Sequence, residues 1–178
     1  MNTYFSILIF FAIQICCTAN SMLIQPKVTN SKFGIYAEAG GPGGFGSIGI
    51  TFRAFNQQKN TFSLKTGIGT VKFFDFNRKF RPDIILPISI LYATETKIPF
   101  EFSVGQIFSG MTYFSQTHTT PIRKWDHHTF IGAGIRIFNF PHIGIQMKAS
   151  IFAIAEFHER ILPTGAISIT YNVKQKTK

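Results

Sequence analysis

The chain has 178 residues, enough for one domain with a sizeable core and too few for two. Phenylalanine is abundant at 21 residues and charged residues make up only 15%, yet the formal net charge is +10, an apolar and basic balance that points to a membrane. Both cysteines, Cys16 and Cys17, lie in the N-terminal segment and no later stretch approaches 18 apolar residues without a charge, so disulfides, thiolate metal sites and membrane-spanning helices are excluded downstream.

Met1 to Ser21 carries an apolar run from Tyr4 to Ile13, followed by Cys16-Cys17-Thr18-Ala19. The run is too short to cross a bilayer as a helix, which takes about 20 residues, and reads as a secretory signal peptide cleaved after Ala19. Gln14-Ile15 ahead of Cys16 is a poor match to a lipoprotein processing site. Residues 1–19 are thus the signal, 20–32 a polar lead-in, 33–173 the folded unit and 174–178 a basic tail.

From Phe33 onward the apolar residues recur with period two, the mark of strands. The first strand, Phe33–Ala39, ends in the turn Gly40–Gly44. The second, Gly46–Phe55, sets Ile48, Ile50, Phe52 and Ala54 against Gly49, Thr51 and Arg53, and Asn56–Asn60 turns the chain. The third, Thr61–Val71, opposes Phe62, Leu64 and Ile68 to Ser63, Lys65, Gly67 and Gly69. After a basic, aromatic loop, Lys72–Pro82, the fourth strand, Asp83–Tyr92, carries Ile84, Leu86, Ile88, Ile90 and Tyr92 on one face. Pro87 within it is awkward in a sheet.

Ala93–Lys97 turns into a fifth strand, Ile98–Phe108, where Phe100, Phe102 and Val104 oppose Glu101, Ser103 and Gly105. Ser109–His128 is expected to be the longest irregular stretch. Thr129–Ala155 then gives the clearest pattern. Ile131, Ala133, Ile135 and Ile137 face away from Gly132, Gly134 and Arg136; beyond the breaker Asn139–His142, Ile143, Ile145, Met147, Ala149 and Ile151 oppose Gly144, Gln146, Lys148 and Ser150. That is an antiparallel hairpin of strands six and seven. Residues 156–163 lead to the last strand, Thr164–Val173, with Ile167, Ile169, Tyr171 and Val173 against Ser168, Thr170 and Asn172.

Eight strands with one apolar face, joined by connections of four or five residues after strands two, four and six and of about eight to twenty after three, five and seven, fit a membrane barrel. The expected fold is all-β: an eight-stranded antiparallel up-and-down transmembrane β-barrel behind a signal peptide. Strands of roughly 9 to 11 residues tilted about 45° match the bilayer, and closure removes the edges a bilayer cannot tolerate.

Gly34-Ile35-Tyr36-Ala37-Glu38-Ala39 with Gly40-Gly41-Pro42-Gly43-Gly44 resembles the first hairpin of the small outer-membrane β-barrel proteins of Bacteroidetes-type bacteria. Lys65-Thr66-Gly67-Ile68-Gly69, Leu86-Pro87-Ile88, Phe100 to Gly105 and Pro163 to Tyr171 are similar in order, so the resemblance covers most of residues 33–173. It implies a bacterial outer-membrane location and offers no catalytic residues. The basic run after Tyr171 departs from the terminal aromatic that the barrel-assembly machinery, an expected partner, recognises.

Candidate chemistry is sparse. Gly41, Gly43 and Gly46 have G-x-G-x-x-G spacing, but a strand follows where a nucleotide site needs a helix. His118, Asp126, His127 and His128 gather near Ser115, which allows a loop-borne lipid acyltransferase or hydrolase, or a zinc site, without enforcing either. Glu38, Arg53, Lys65, Glu101, Arg136 and Lys148 recur on the glycine-bearing face and are expected to pair inside the lumen. Lys72, Arg78, Lys79, Arg81, Arg123 and Lys124 are placed to meet outer-membrane lipid or lipopolysaccharide phosphates. No recognition helix or stacking platform for nucleic acid is visible. The reading is a non-catalytic, structural or interaction barrel with no cofactor, no metal and no catalytic residue; the alternative from another class is a soluble lipocalin-like barrel with its apolar face inward around a small ligand.

Overall fold

The computed structural model describes residues 31–57, 60–74, 81–94, 99–113, 122–155 and 161–173. Eight antiparallel strands close in sequence order: β1 (Phe33–Gly40), β2 (Gly46–Gln57), β3 (Asn60–Thr70), β4 (Ile84–Thr94), β5 (Phe100–Tyr113), β6 (Ile122–Phe140), β7 (Ile145–Ala155) and β8 (Ile161–Asn172). β8 returns to β1 with Tyr171 opposite Ile35 and Ile169 opposite Ala37. A clasp secures that seam. Ser31 Oγ lies 2.6 Å from each of the carbonyl oxygens of Phe33 and Val173, and the Val173 N–H donates to Phe33 O at 2.9 Å.

The expected eight-stranded up-and-down barrel is therefore the observed fold, with several boundaries and faces corrected. The stretch 109–128, read as irregular, is mostly strand, since β5 runs on to Tyr113 and β6 starts at Ile122. Its alternation was hidden because Arg123, Lys124, Asp126 and the histidines are polar on both faces. The turn of the hairpin lies at residues 141–144 rather than 139–142, and β8 begins at Ile161 rather than Thr164. With β8 starting early, the last connection shrinks to 156–160, so the contrast between short and long connections is weaker than the sequence implies.

Two bulges break the alternation that the sequence implies. Pairing on β2 steps from Arg53↔Ser63 to Phe55↔Phe62, and on β6 from Arg136↔Lys148 to Phe138↔Met147. Ala54 and Ile137 are the extra residues, and because of them Phe55, Phe138 and Phe140, which unbroken alternation would turn inward, stand on the apolar face. One inserted residue flips everything after it, because the side-chain period of a strand is two. Each bulge directly follows an arginine. Pro87 is accommodated inside β4, where pairing with β3 skips from Thr66↔Ile88 to Gly69↔Ile85; the ring takes the place of a ladder hydrogen bond its nitrogen could not donate.

Candidate functional site

The two faces of the wall decide what the molecule can do. Around the outside, Ile35, Ile48, Ile50, Leu64, Ile88, Ile90, Val104, Ile131, Ile151, Ile167 and Ile169 are all exposed. Soluble monomers rarely leave contiguous apolar patches above a few hundred Å². Here the patch circles the barrel.

Aromatic side chains fringe this belt at both ends. At the short-turn end Phe33 packs on Phe52 and Phe62 on Tyr92, each with ring centroids 5.0 Å apart, and Phe138 stacks with Phe140 at 6.3 Å. At the opposite end Phe45, Phe73, Phe74, Phe108 and Trp125 stand exposed. Along β5 the fringes are separated by the ten residues from Phe100 to Gly110, the partner of Trp125. At about 3.3 Å per residue and a tilt near 40°, that spacing is about 25 Å, the height of a membrane barrel's apolar band.

Inside, the lumen is layered. At the end with the longer connections, Gly41–Gly43 form a buried 3-10 turn between β1 and β2. This short glycine-rich connection, which fits poorly as an outer loop, is folded into the barrel mouth. Gly40, Gly41 and Gly44 have φ of 80°, 73° and 81°, a left-handed region costly for other residues. A first side-chain carbon on Gly41 would stand 2.9 Å from Ala166 Cβ and 3.1 Å from the Phe152 ring. Beneath the turn Ile85, Ile107, Phe130, Phe152 and Ala166 form an apolar core, with Phe130 and Phe152 edge to face at 5.8 Å.

The middle layer carries the ions. Lys65 Nζ bonds Glu38 Oε2 and lies 4.2 Å from the centre of the Tyr36 ring. Glu101 accepts from Lys148 Nζ at 2.7 Å and Arg136 Nη2 at 3.4 Å. Desolvated charges survive only when paired in this way. The layer nearest the short turns is polar: Thr61, Gln146, Thr170 and Asn172 are buried there, and Arg53 borders it. The Asn172 backbone N–H donates to Gly144 O at 2.7 Å and ties β8 to the 141–144 turn.

Among the described residues, voids of about 30 and 40 Å³ remain. Each has room for a few waters. Glu101 and Lys148 line both, as do Thr51, Leu91 and Thr170, so the ion cluster lies at the boundary between them. The lumen is filled, as the geometry of eight strands requires.

No protein-family model matches this chain, and no curated protein is similar to it. Among solved structures, the N-terminal β-barrel domain of Pseudomonas aeruginosa OprF superposes with a TM-score of 0.53, covering 79% of this chain and 95% of that one at 14% identity. The likeness is one of fold.

Of the charges expected in the lumen, Glu38, Lys65, Glu101, Arg136 and Lys148 all point inward and are ion-paired. Arg53 borders the void nearer the short turns. Among the described residues the histidine cluster is divided between two faces. His127 and His128 are consecutive on β6 and project to opposite faces, His128 opposite Ile107 and His127 opposite Phe108. Ser115 and His118 lie outside the described residues, as do Arg78, Lys79 and residues 1–30. Among the described residues no three metal-ligating side chains come together. Gly41 and Gly43 serve the buried turn, Gly46 opens a strand, and no helix starts there to receive a phosphate. The apolar plug of the lumen was missed, since Phe130 and Phe152 lie on the face that otherwise carries glycine and charge. Their signal was present: both break the small-residue rhythm of Gly132, Gly134 and Ser150 with a ring.

Proposed function

We propose that this chain is an integral outer-membrane β-barrel with a structural or interaction role and no catalytic one. The carrying observation is the apolar belt around a closed barrel whose interior holds the charges. In water that arrangement is inside out. In a bilayer it satisfies every backbone group within the wall and keeps Glu38, Lys65, Glu101, Arg136 and Lys148 away from lipid. The likeness in fold to the OprF N-terminal barrel domain supports the same reading, as does the resemblance to the small barrels of Bacteroidetes-type bacteria. A lipocalin-like carrier would need the apolar face turned inward around a cavity; here that face is outside and each void has room for only a few waters.

Fractionation tests the proposal. The mature protein should sediment with outer membranes and stay there through high salt and carbonate, leaving only in detergent. Release by carbonate would overturn it.

A further inference from the structure

We infer that the rim of the β5–β6 hairpin is a docking site for the phosphate of a membrane-lipid head group, a proposal that rests on the membrane reading above. β5 and β6 outrun their neighbours: the last pairs with β4 and β7 are Gly110↔Ile84 and Thr129↔Ala155, whereas the hairpin continues to Tyr113↔Ile122. On its outward face the side chains of β6 run Ile131, Thr129, His127, Trp125, Arg123, from the apolar belt outward. The Trp125 ring lies across Gly110, where a first side-chain carbon would sit 3.1 Å from it. Glycine at that position lets the indole lie flat on the wall at the edge of the apolar band, where tryptophan is favoured in membrane proteins.

One pleat further out stands Arg123. Its Nη2 donates to Pro82 O at 2.8 Å, which fixes the guanidinium against the loop between β3 and β4. Asp83, the acid beside it, is buried and accepts from the Thr112 N–H at 3.1 Å, so its charge is turned inward. Arg81, next to Pro82, is exposed, and its N–H donates to the carbonyl of the exposed Phe73. Lys124 is on the opposite face of the strand and belongs to the mouth, not to this patch. Arg81 and Arg123 therefore share one stretch of the rim, Arg81 as the chain neighbour of Pro82 and Arg123 through its bond to Pro82 O, one pleat beyond Trp125. That is the depth order of a lipid: acyl chains against the belt, the glycerol or sugar level beside the indole, and phosphate at the arginines. A guanidinium presents five N–H donors, one of which Pro82 occupies on Arg123, and the fork matches phosphate oxygens.

Trp125 is the single tryptophan of the chain and so reports on this spot alone. The full-length mature protein would be inserted into phosphatidylcholine vesicles carrying an equal minor fraction of either brominated phosphatidic acid or brominated phosphatidylcholine. At low salt each arginine should enrich the phosphate monoester by about fivefold, so the acidic lipid should quench Trp125 several-fold more strongly. The preference should fall as salt is raised, drop partway in Arg123→Gln, and vanish in the Arg81→Gln/Arg123→Gln double variant, while quenching by brominated phosphatidylcholine stays as in the wild type. Inorganic phosphate at matched ionic strength should not compete.

Equal quenching by the two lipids in the wild type would overturn the head-group site and leave the membrane reading intact. Competition by inorganic phosphate would assign the arginines to a soluble anion instead. Absence of quenching by either brominated lipid would overturn both readings at once.

Discussion

Lys148 Nζ stands 2.7 Å from Glu101 Oε2 across the whole width of β6, and together the two side chains lie at the boundary between the two voids of the lumen. Arg136, on the intervening strand, holds the other carboxylate oxygen at 3.4 Å and is also the cross-strand neighbour of Lys148. Glu101→Ala therefore leaves two cations side by side with no carboxylate between them. The expected loss is about 3–5 kcal/mol, measured by urea unfolding of the barrel in lipid vesicles. Lys148→Met keeps the Arg136–Glu101 pair and should cost clearly less. Equal losses would mean that the cluster is not organised around the carboxylate.

Val104 and Ile131 are cross-strand partners halfway between the aromatic fringes. Arginine at either position should cost about 2–4 kcal/mol, whereas Ile145→Arg, one residue past the 141–144 turn, should cost about 0–1 kcal/mol. Cysteine labelling with a lipid-soluble reagent gives the same map. Ile131→Cys and Ile151→Cys should react, and Gln146→Cys and Ser168→Cys should stay protected; the opposite pattern would turn the barrel inside out.

Phe152 is the ring on which the inward-folded turn rests. Phe152→Ala should destabilise the barrel by about 3–5 kcal/mol through the cavity it opens under Gly41. Gly41→Val combines a left-handed backbone, costing about 1–2 kcal/mol, with contacts to Ala166 and Phe152 that have no room for it. The wild type should show no steady conductance in planar bilayers. A stable ohmic channel from the unaltered protein would contradict a filled lumen.

Deleting Ile137 tests the bulge. Without it Phe138 follows Arg136 directly in unbroken alternation, so Phe138 and Phe140 stay on the lipid side, Asn139 stays inward, and the ladder Arg136↔Lys148, Phe138↔Met147 becomes regular. Phe140→Cys should label from the bilayer in the parent chain. In the deletion variant that labelling should persist in the protease-resistant folded form; its loss would mean that Ile137 holds a place in the regular ladder.

Much of this architecture is written in local alternation. Period-two runs at Ile48–Phe52, Phe100–Val104 and Ile131–Ile135 each declare a wall with one apolar face, because a strand's side chains alternate whatever surrounds it. Glu38, Lys65, Glu101, Arg136 and Lys148 fall on the other face for the same reason, and closure then leaves them nowhere to go but inward, toward one another. The strand number and antiparallel order follow from turns between such runs. The extended upper half of the β5–β6 hairpin did not show itself, since above the apolar band both faces of a strand are wet and the alternation disappears.

What only the folded chain decides is anything that depends on residues far apart in sequence. Periodicity cannot tell the inside of a barrel from its outside; that is settled by the closing register of β8 on β1 and by the ions meeting across β6. The bulges at Ala54 and Ile137 are invisible in one strand because a bulge is a mismatch between two. The glycine-rich stretch Gly40–Gly44 announces a left-handed turn by composition, but its fall into the mouth is fixed by Phe152 and Ala166, more than a hundred residues later in the chain, whose rings and methyls leave a space that only a backbone without side chains can fill. Trp125 and Arg123 likewise lie among ordinary polar residues in the sequence. They become neighbours of Gly110 and Pro82 only when the hairpin and the barrel rim bring the strands together.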